Sequence, residues 1–261
     1  MKIKTYVINL KESVERRESV LAETRKYSCL DLELVEAVNG NKLSEVEINK
    51  RFDCKKFIYR GGRLVFRGEI GCTLSHQECY RRLLESEGDI ALILEDDVCF
   101  LVPEHVEFLL QEITRKMSRE IPCIVTLTRH RVYWTKEVDK IGEYSLYRIR
   151  EANGTCAYLM NKKAAGKILS MNNKPYYVAD DFLLMNKQGI CVQGIHPLLA
   201  MGASEMAKIE TTVWEKNVTR KYSLRYWIHL YGNGIYRRFL QLLQILKKRN
   251  YSKDDLKRNS I

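Results

Sequence analysis

Hydrophobic residues arrive along this chain in two kinds of run. Short apolar blocks bounded by turn residues, at 3–10, 90–94, 121–127, 157–160 and 190–192, read as strands. Between them lie longer segments with apolar residues three and four apart. Cys72, His76, Cys79, Tyr80 and Leu83 share one face of a helix running to about residue 85; Val106, Leu109, Leu110 and Ile113 share a face of another over 103–117; and Ala164, Ala165, Ile168 and Leu169 mark a third. Local signals agree with these boundaries. Ser13 and Asn161 are placed to cap helices, Ser44 through Glu47 has the form of a capping box, and Pro103 suits a first helical position. Leu30, Leu32 and Leu34 alternate with acidic residues, predicting a second strand before the Asn39-Gly40 turn, and 144–149 reads as an additional strand. The basic, glycine-containing stretch 55–67 reads as a loop. Strands alternating with helices predict an α/β fold with a mixed, mostly parallel sheet flanked by helices.

One block breaks its own pattern. Ile90-Ala91-Leu92-Ile93-Leu94 has the composition of a strand buried on both faces, yet it runs directly into Glu95-Asp96-Asp97. Three adjacent carboxylates resist desolvation, so they belong at the strand's C-terminal end, where a cation offsets their charge and where open α/β sheets bind ligands. An oxygen-preferring divalent ion, Mn²⁺ or Mg²⁺, suits such a group together with the phosphates of a substrate. The alternative is an acidic loop that simply closes the strand.

Other candidates are read the same way. Asn9, at the end of the first strand, and Arg17, on the helix that follows, form an anion-friendly corner able to contact a nucleotide; a solvated charged helix face is the alternative. His76 sits on an apolar stripe, which on pattern alone describes a hydrogen-bonded core histidine. Asp180-Asp181 opens a helix and follows Tyr176-Tyr177, so the acids either cap that helix or, beside an aromatic surface, help hold a sugar. His196, after the last strand-like block, is a late candidate metal ligand.

Charge changes the picture at one end only. The formal net charge is +11, but residues 214–261 hold twelve Lys/Arg against three Asp/Glu, which leaves about +2 for the first 213. The expected division is therefore a catalytic domain over 1–213 and a basic, aromatic-rich helical segment over 214–261. Ile235, Phe239, Leu242, Leu243 and Leu246 form an apolar stripe there at helical spacing, with Trp214, Tyr222, Tyr226, Trp227, Tyr231 and Tyr236 nearby. Such a segment either packs on the domain or binds an anionic membrane surface. A near-neutral body without a recognition motif argues against nucleic acid. Eight cysteines without a CxxC pair or zinc-like Cys/His spacing indicate neither a disulfide framework nor a structural metal and suggest a reducing compartment, and residues 1–6 enter a strand with no signal-type apolar run, so a cytoplasmic protein, peripheral on the inner face of the membrane, is expected.

In order along the chain, Tyr6-Val7-Ile8-Asn9-Leu10 with Arg16-Arg17, Val35-Glu36-Ala37-Val38-Asn39-Gly40, Gly68-Glu69-Ile70-Gly71-Cys72-Thr73-Leu74-Ser75-His76, Leu92-Ile93-Leu94-Glu95-Asp96-Asp97-Val98, Gly154-Thr155-Cys156-Ala157-Tyr158 and Asp180-Asp181-Phe182-Leu183 make a series. It resembles the bacterial lipooligosaccharide galactosyltransferases of glycosyltransferase family 25, which are related to collagen galactosyltransferases. The resemblance implies a GT-A type nucleotide-sugar fold and inverting transfer from a UDP-sugar, most often UDP-galactose, to a lipid-linked oligosaccharide acceptor. It implies that Glu95-Asp96-Asp97 takes the place of the family's DxD-like motif, with Asp97 first in contact with the metal, joined by Glu95 and His196. Glu95 and Asp96, with Asn9, Arg17, Ser75 and His76, would hold the donor, and Asp180 or Asp181 would be the general base. Ala179 and Tyr80 depart from residues common in relatives. The competing readings are a metal-dependent phosphoryl-transfer or hydrolytic enzyme using the same carboxylates, and a basic membrane-surface or nucleic-acid binding protein.

Overall fold

A computed structural model describes residues 1–152, 154–204 and 224–249. Its centre is a nine-stranded sheet. The strands are β1 (Ile3–Asn9), β2 (Leu30–Glu36), β3 (Ile90–Glu95), β5 (Cys123–Thr126), β6 (His130–Ile141), β7 (Tyr144–Ala152), β8 (Ala157–Asn161), β9 (Cys191–His196) and β11 (Leu246–Lys248), and β4 (Val98–Phe100) pairs separately with β10 (Ala200–Gly202). The order is β11-β6-β7-β9-β5-β8-β3-β1-β2. β1 is parallel to β2 and β3, and β5 to β9, whereas β8, β7 and β11 each run antiparallel to their neighbours. Six of the nine strands thus point one way, the mixed and mostly parallel arrangement expected.

The helices α1 (Val14–Thr24), α2 (Glu45–Arg51), α3 (Cys54–Gly61), α4 (Arg67–Glu85), α5 (Pro103–Lys116), α6 (Lys162–Ser170) and α7 (Phe182–Lys187) precede α8 (Leu224–Leu242). β3 shows why the sheet needs cover on both faces. Leu92 and Leu94 join Val20 of α1 and Val106, Leu109 and Leu110 of α5 in one cluster, whereas Ala91 and Ile93 join Cys79, Tyr80 and Leu83 of α4 and Ala164 and Ile168 of α6 in the other. Burying each of the large side chains contributes about 1.5–3 kcal/mol.

Two expectations are corrected, and β6 is a strand without a counterpart among them. Residues 55–67 are not all loop: Asp53 Oδ1 accepts the Lys56 amide at 2.9 Å, Phe57 is buried, and Gly62 closes α3 with φ +65. Lysine and arginine around a single buried aromatic hid that helix. β6 follows β5 almost at once, but its register shifts against β7 at four places, so its sequence lacks a steady alternation. Leu246 leaves the expected helical stripe and enters β11, opposite Trp134 of β6. Of the basic segment, Trp214, Tyr222 and the last twelve residues lie outside the described residues, and β11 belongs to the same sheet as the body.

Candidate functional site

The adjacent parallel strands β1 and β3 end side by side, and the pocket of about 350 Å³ lies at those ends. The β1–α1 turn, the loop around residues 37–41, one face of α4 and the carboxylate triplet line it, and Ser204 reaches in from beyond β10. Its size is that of a small-molecule site. The wall between loop and helix is backbone against backbone: a Cβ on Gly40 would stand 1.7 Å from the Arg67 carbonyl oxygen, and one on Gly71 2.4 Å from that of Val38. Ser75 fastens the same wall, donating to the Gly71 carbonyl at 2.7 Å and accepting the Val38 amide at 2.8 Å.

The three carboxylates at the mouth of β3 have different surroundings. Glu95 Oε1 accepts the Thr155 hydroxyl at 2.6 Å and meets His76 Nε2 at 3.2 Å, while His76 Nδ1 contacts the Tyr158 hydroxyl at 2.8 Å and Tyr158 that of Tyr80 at 3.0 Å. Burial pushes the Glu95 carboxyl up, but the bond and charge of His76, the Thr155 bond and Arg16 together hold it below its ordinary value. Asp96 accepts the Asn9 amide at 2.8 Å and pairs with Arg16. Its carboxyl is raised by burial, against Arg16 and Asn9, with Asp97 and Glu95 adding to the rise. Asp97 Oδ2 accepts both the hydroxyl of Ser204 at 2.5 Å and its amide at 3.2 Å. Asp97 Oδ1 is buried and has no hydrogen-bond partner among the described residues.

That orphaned oxygen is the feature a cation would satisfy, because a buried carboxylate oxygen without a donor is costly. The residues therefore fit a divalent ion held at Asp97.

The second acidic pair divides sharply. Asp181 caps α7, accepting the Leu184 amide at 3.1 Å, and its other oxygen pairs with Arg60. Asp180 Oδ2 accepts the Gly154 amide at 3.0 Å, and Gly154 adjoins the Thr155 that holds Glu95, but neither Asp180 nor Asp181 lines the pocket. Burial raises its carboxyl, the Gly154 bond opposes this, and the charges of Asp181 and Glu95 raise it further. Tyr176 and Tyr177 do not form the expected sugar platform: both are buried, Tyr177 accepts from Gln77 at 3.0 Å, and Lys56 sits over the Tyr176 ring.

The pocket brings together Asn9, Ser75, His76, Glu95, Asp96 and Asp97 from the sequence reading. Arg17 is turned to the Lys11 carbonyl at 3.3 Å, and its neighbour Arg16 lines the pocket instead. His196 ends β9, three strands from β3, with its ring 6.4 Å from that of His130, and does not line the pocket. Ser204 had no sequence signal; Thr155 lay inside a quoted motif without a role of its own.

The family model described as "Glycosyltransferase family 25 (LPS biosynthesis protein)" matches residues 2–184, from β1 through the triplet to the second acidic pair. The chain belongs to glycosyltransferase family 25. Relatives of this family 25 chain include procollagen galactosyltransferase 1-A of Xenopus laevis, 28% identical over 173 residues covering 63% of this chain and 28% of that protein. A procollagen lysyl hydroxylase and glycosyltransferase of Acanthamoeba polyphaga mimivirus is 26% identical over 213 residues, covering 76% of this chain and 23% of that protein. Human procollagen galactosyltransferase 2 is 33% identical over 99 residues, covering 36% and 16%. The chain spans less than a third of the length of each. The solved glycosyltransferase GlyE of Streptococcus pneumoniae is 11% identical with TM-score 0.39, covering 96% of this chain and 65% of that one, a likeness too slight to define a fold.

Proposed function

We propose that this family 25 chain is a metal-dependent glycosyltransferase that moves a hexose, galactose from UDP-galactose first among the candidates, onto a lipooligosaccharide or other surface-glycan acceptor with inversion. The observation that carries the reading is Asp97, whose one oxygen is clamped by Ser204 and whose other is buried without a partner among the described residues, at the edge of a pocket of about 350 Å³. Asp97 would hold Mn²⁺ or Mg²⁺, which when bound supplies charge neutralisation to a diphosphate leaving group. Asn9 and Arg16 fix Asp96, and Arg16 stands at the pocket wall where it can meet phosphate oxygens.

Asp180 is the general base in this reading. It takes the proton of the acceptor hydroxyl as that oxygen bonds to the sugar's anomeric carbon, while the bond to UDP breaks and its electron pair leaves with the phosphate. Its competitor Asp181 is occupied as a cap and an ion pair. The test is UDP release with a panel of UDP-sugars and Mn²⁺, with transfer to deacylated lipooligosaccharide followed by mass spectrometry. Absence of any bound or consumed UDP-sugar sinks the reading, and hydrolysis of a phosphate ester at the same carboxylates would favour the phosphoryl-transfer alternative.

The reading extends to an anionic membrane surface, supported by α8. Trp227, Tyr231, Ile235, Phe239 and Leu242 fall on one stripe of that helix and are exposed, Leu242 by 82%, while Leu240 turns inward. Arg238, Lys247 and Lys248 lie close by in sequence, and such a basic and apolar face suits an anionic leaflet beside a lipid-linked acceptor. Among the described residues, no helix is long and apolar enough to cross a membrane.

A further inference from the structure

Beside Asp97, the lining of the pocket includes a second group of residues with a chemistry of its own. Cys72 and His76 stand four residues apart on α4, so they share a face, and Glu95 comes to them from the end of β3. One donor atom from each, a sulfur, a ring nitrogen and a carboxylate oxygen, lie within 4.8 Å of one another. Around a tetrahedral Zn²⁺ such atoms stand about 3.3–3.6 Å apart, a contraction within reach of small side-chain rotations. The supporting shell is in place. Tyr158 engages His76 Nδ1 at 2.8 Å and leaves Nε2 facing Glu95, Thr155 fixes the Glu95 carboxylate at 2.6 Å, and Tyr80 backs Tyr158 at 3.0 Å. A histidine oriented through its second nitrogen and a carboxylate held by a hydroxyl are how protein metal sites fix their ligands. All three residues line the pocket, so a fourth position would face its interior.

We infer that Cys72, His76 and Glu95 form a site for a thiophilic divalent ion, Zn²⁺ foremost, separate from the oxygen-preferring position at Asp97, and that its occupancy obstructs the nucleotide pocket. The donor set decides the class: a thiolate and an imidazole favour Zn²⁺ over Mn²⁺ or Mg²⁺, which prefer oxygen. Binding exchanges the Cys72 thiol proton for a sulfur–metal bond and releases that proton to solvent, with no change of oxidation state. The metal site stands on its own geometry, and only its inhibitory consequence rests on the transferase reading.

The experiment uses the full chain and Co²⁺ as a spectroscopic probe for Zn²⁺. Titration should develop a thiolate-to-cobalt charge-transfer band at one ion per chain, bleached by Zn²⁺. Cys72→Ser should abolish the band, and His76→Gln should weaken Zn²⁺ binding by about tenfold or more. Asp97→Asn, which leaves the three ligands intact, should keep the band. Absence of the band in the parent, or its persistence in Cys72→Ser on one of the other cysteines, overturns the site. Calorimetric titration of UDP in the presence of Mn²⁺, with and without one equivalent of Zn²⁺, then reads the second half. Loss of UDP affinity in the parent but not in Cys72→Ser supports obstruction, and unchanged affinity refutes it while leaving the metal site standing. Failure of UDP to bind even without Zn²⁺ counts against the transferase reading alone.

Discussion

Asp97 uses its two oxygens differently: Ser204 holds one, and the other has no hydrogen-bond donor among the described residues. Asp97→Asn replaces an oxygen ligand by a nitrogen that cannot serve a hard cation, so Mn²⁺-dependent UDP binding should weaken by more than about tenfold in calorimetry while the fold persists. The Asp180 and Asp181 pair gives a sharper contrast. Asp180→Asn should lower kcat by about 10²–10⁴-fold, the range for a lost general base. Asp180 is protonated below its raised pKa, so the rate should fall as pH drops through a value higher than that of an ordinary aspartate. Because the Asp181 charge contributes to that rise, Asp181→Asn should move the acid limb of the kcat profile to lower pH with far less loss of rate. A limb that stays fixed would show that another group titrates.

At the level of elements, the α4 wall makes a prediction against helix propensity. Alanine in place of a helical glycine ordinarily gains about 0.8–1 kcal/mol, yet Gly71→Ala drives a methyl group to 2.4 Å from the Val38 carbonyl oxygen. The net effect should be a loss of about 1–3 kcal/mol, read from the urea midpoint. A gain in stability would mean that loop and helix do not meet as closely as described. These elements also show what the sequence disclosed. β3 and its carboxylates were legible because five apolar residues meeting three acids admit few arrangements, and the capping box of α2 forms both of its bonds. Arg16 was displaced by one residue from the expected Arg17, since helix phase on a charged surface leaves no hydrophobic mark. α3 was obscured by its basic residues and β6 by its bulges. Cys72 and His76 read in sequence only as members of an apolar helix face, because the Glu95 that completes their cluster comes from another element.

At the level of the whole molecule, the sheet is finished by its last described strand. Leu246, buried with Val132 and Leu240, joins β11 to β6 in a small cluster separate from the two main cores. Leu246→Ala should cost about 2 kcal/mol there. Amide exchange should quicken in β11 and along β6 while α4 stays protected. The outward stripe of α8 should behave oppositely: Ile235→Glu, Phe239→Glu and Leu242→Glu, all at exposed positions, should leave thermal stability nearly unchanged but reduce flotation with anionic vesicles. Equal flotation of parent and triple variant would remove the membrane proposal.

The bond from Asn9 to Asp96 joins residues 87 positions apart, and Ser204 closes on Asp97 from 107 further along the chain. Asp97 can therefore be clasped only after synthesis has passed residue 204. Translation products ending short of Ser204 would carry the acidic triplet without its clasp, and, under the proposed function, would hold a cation at Asp97 less firmly.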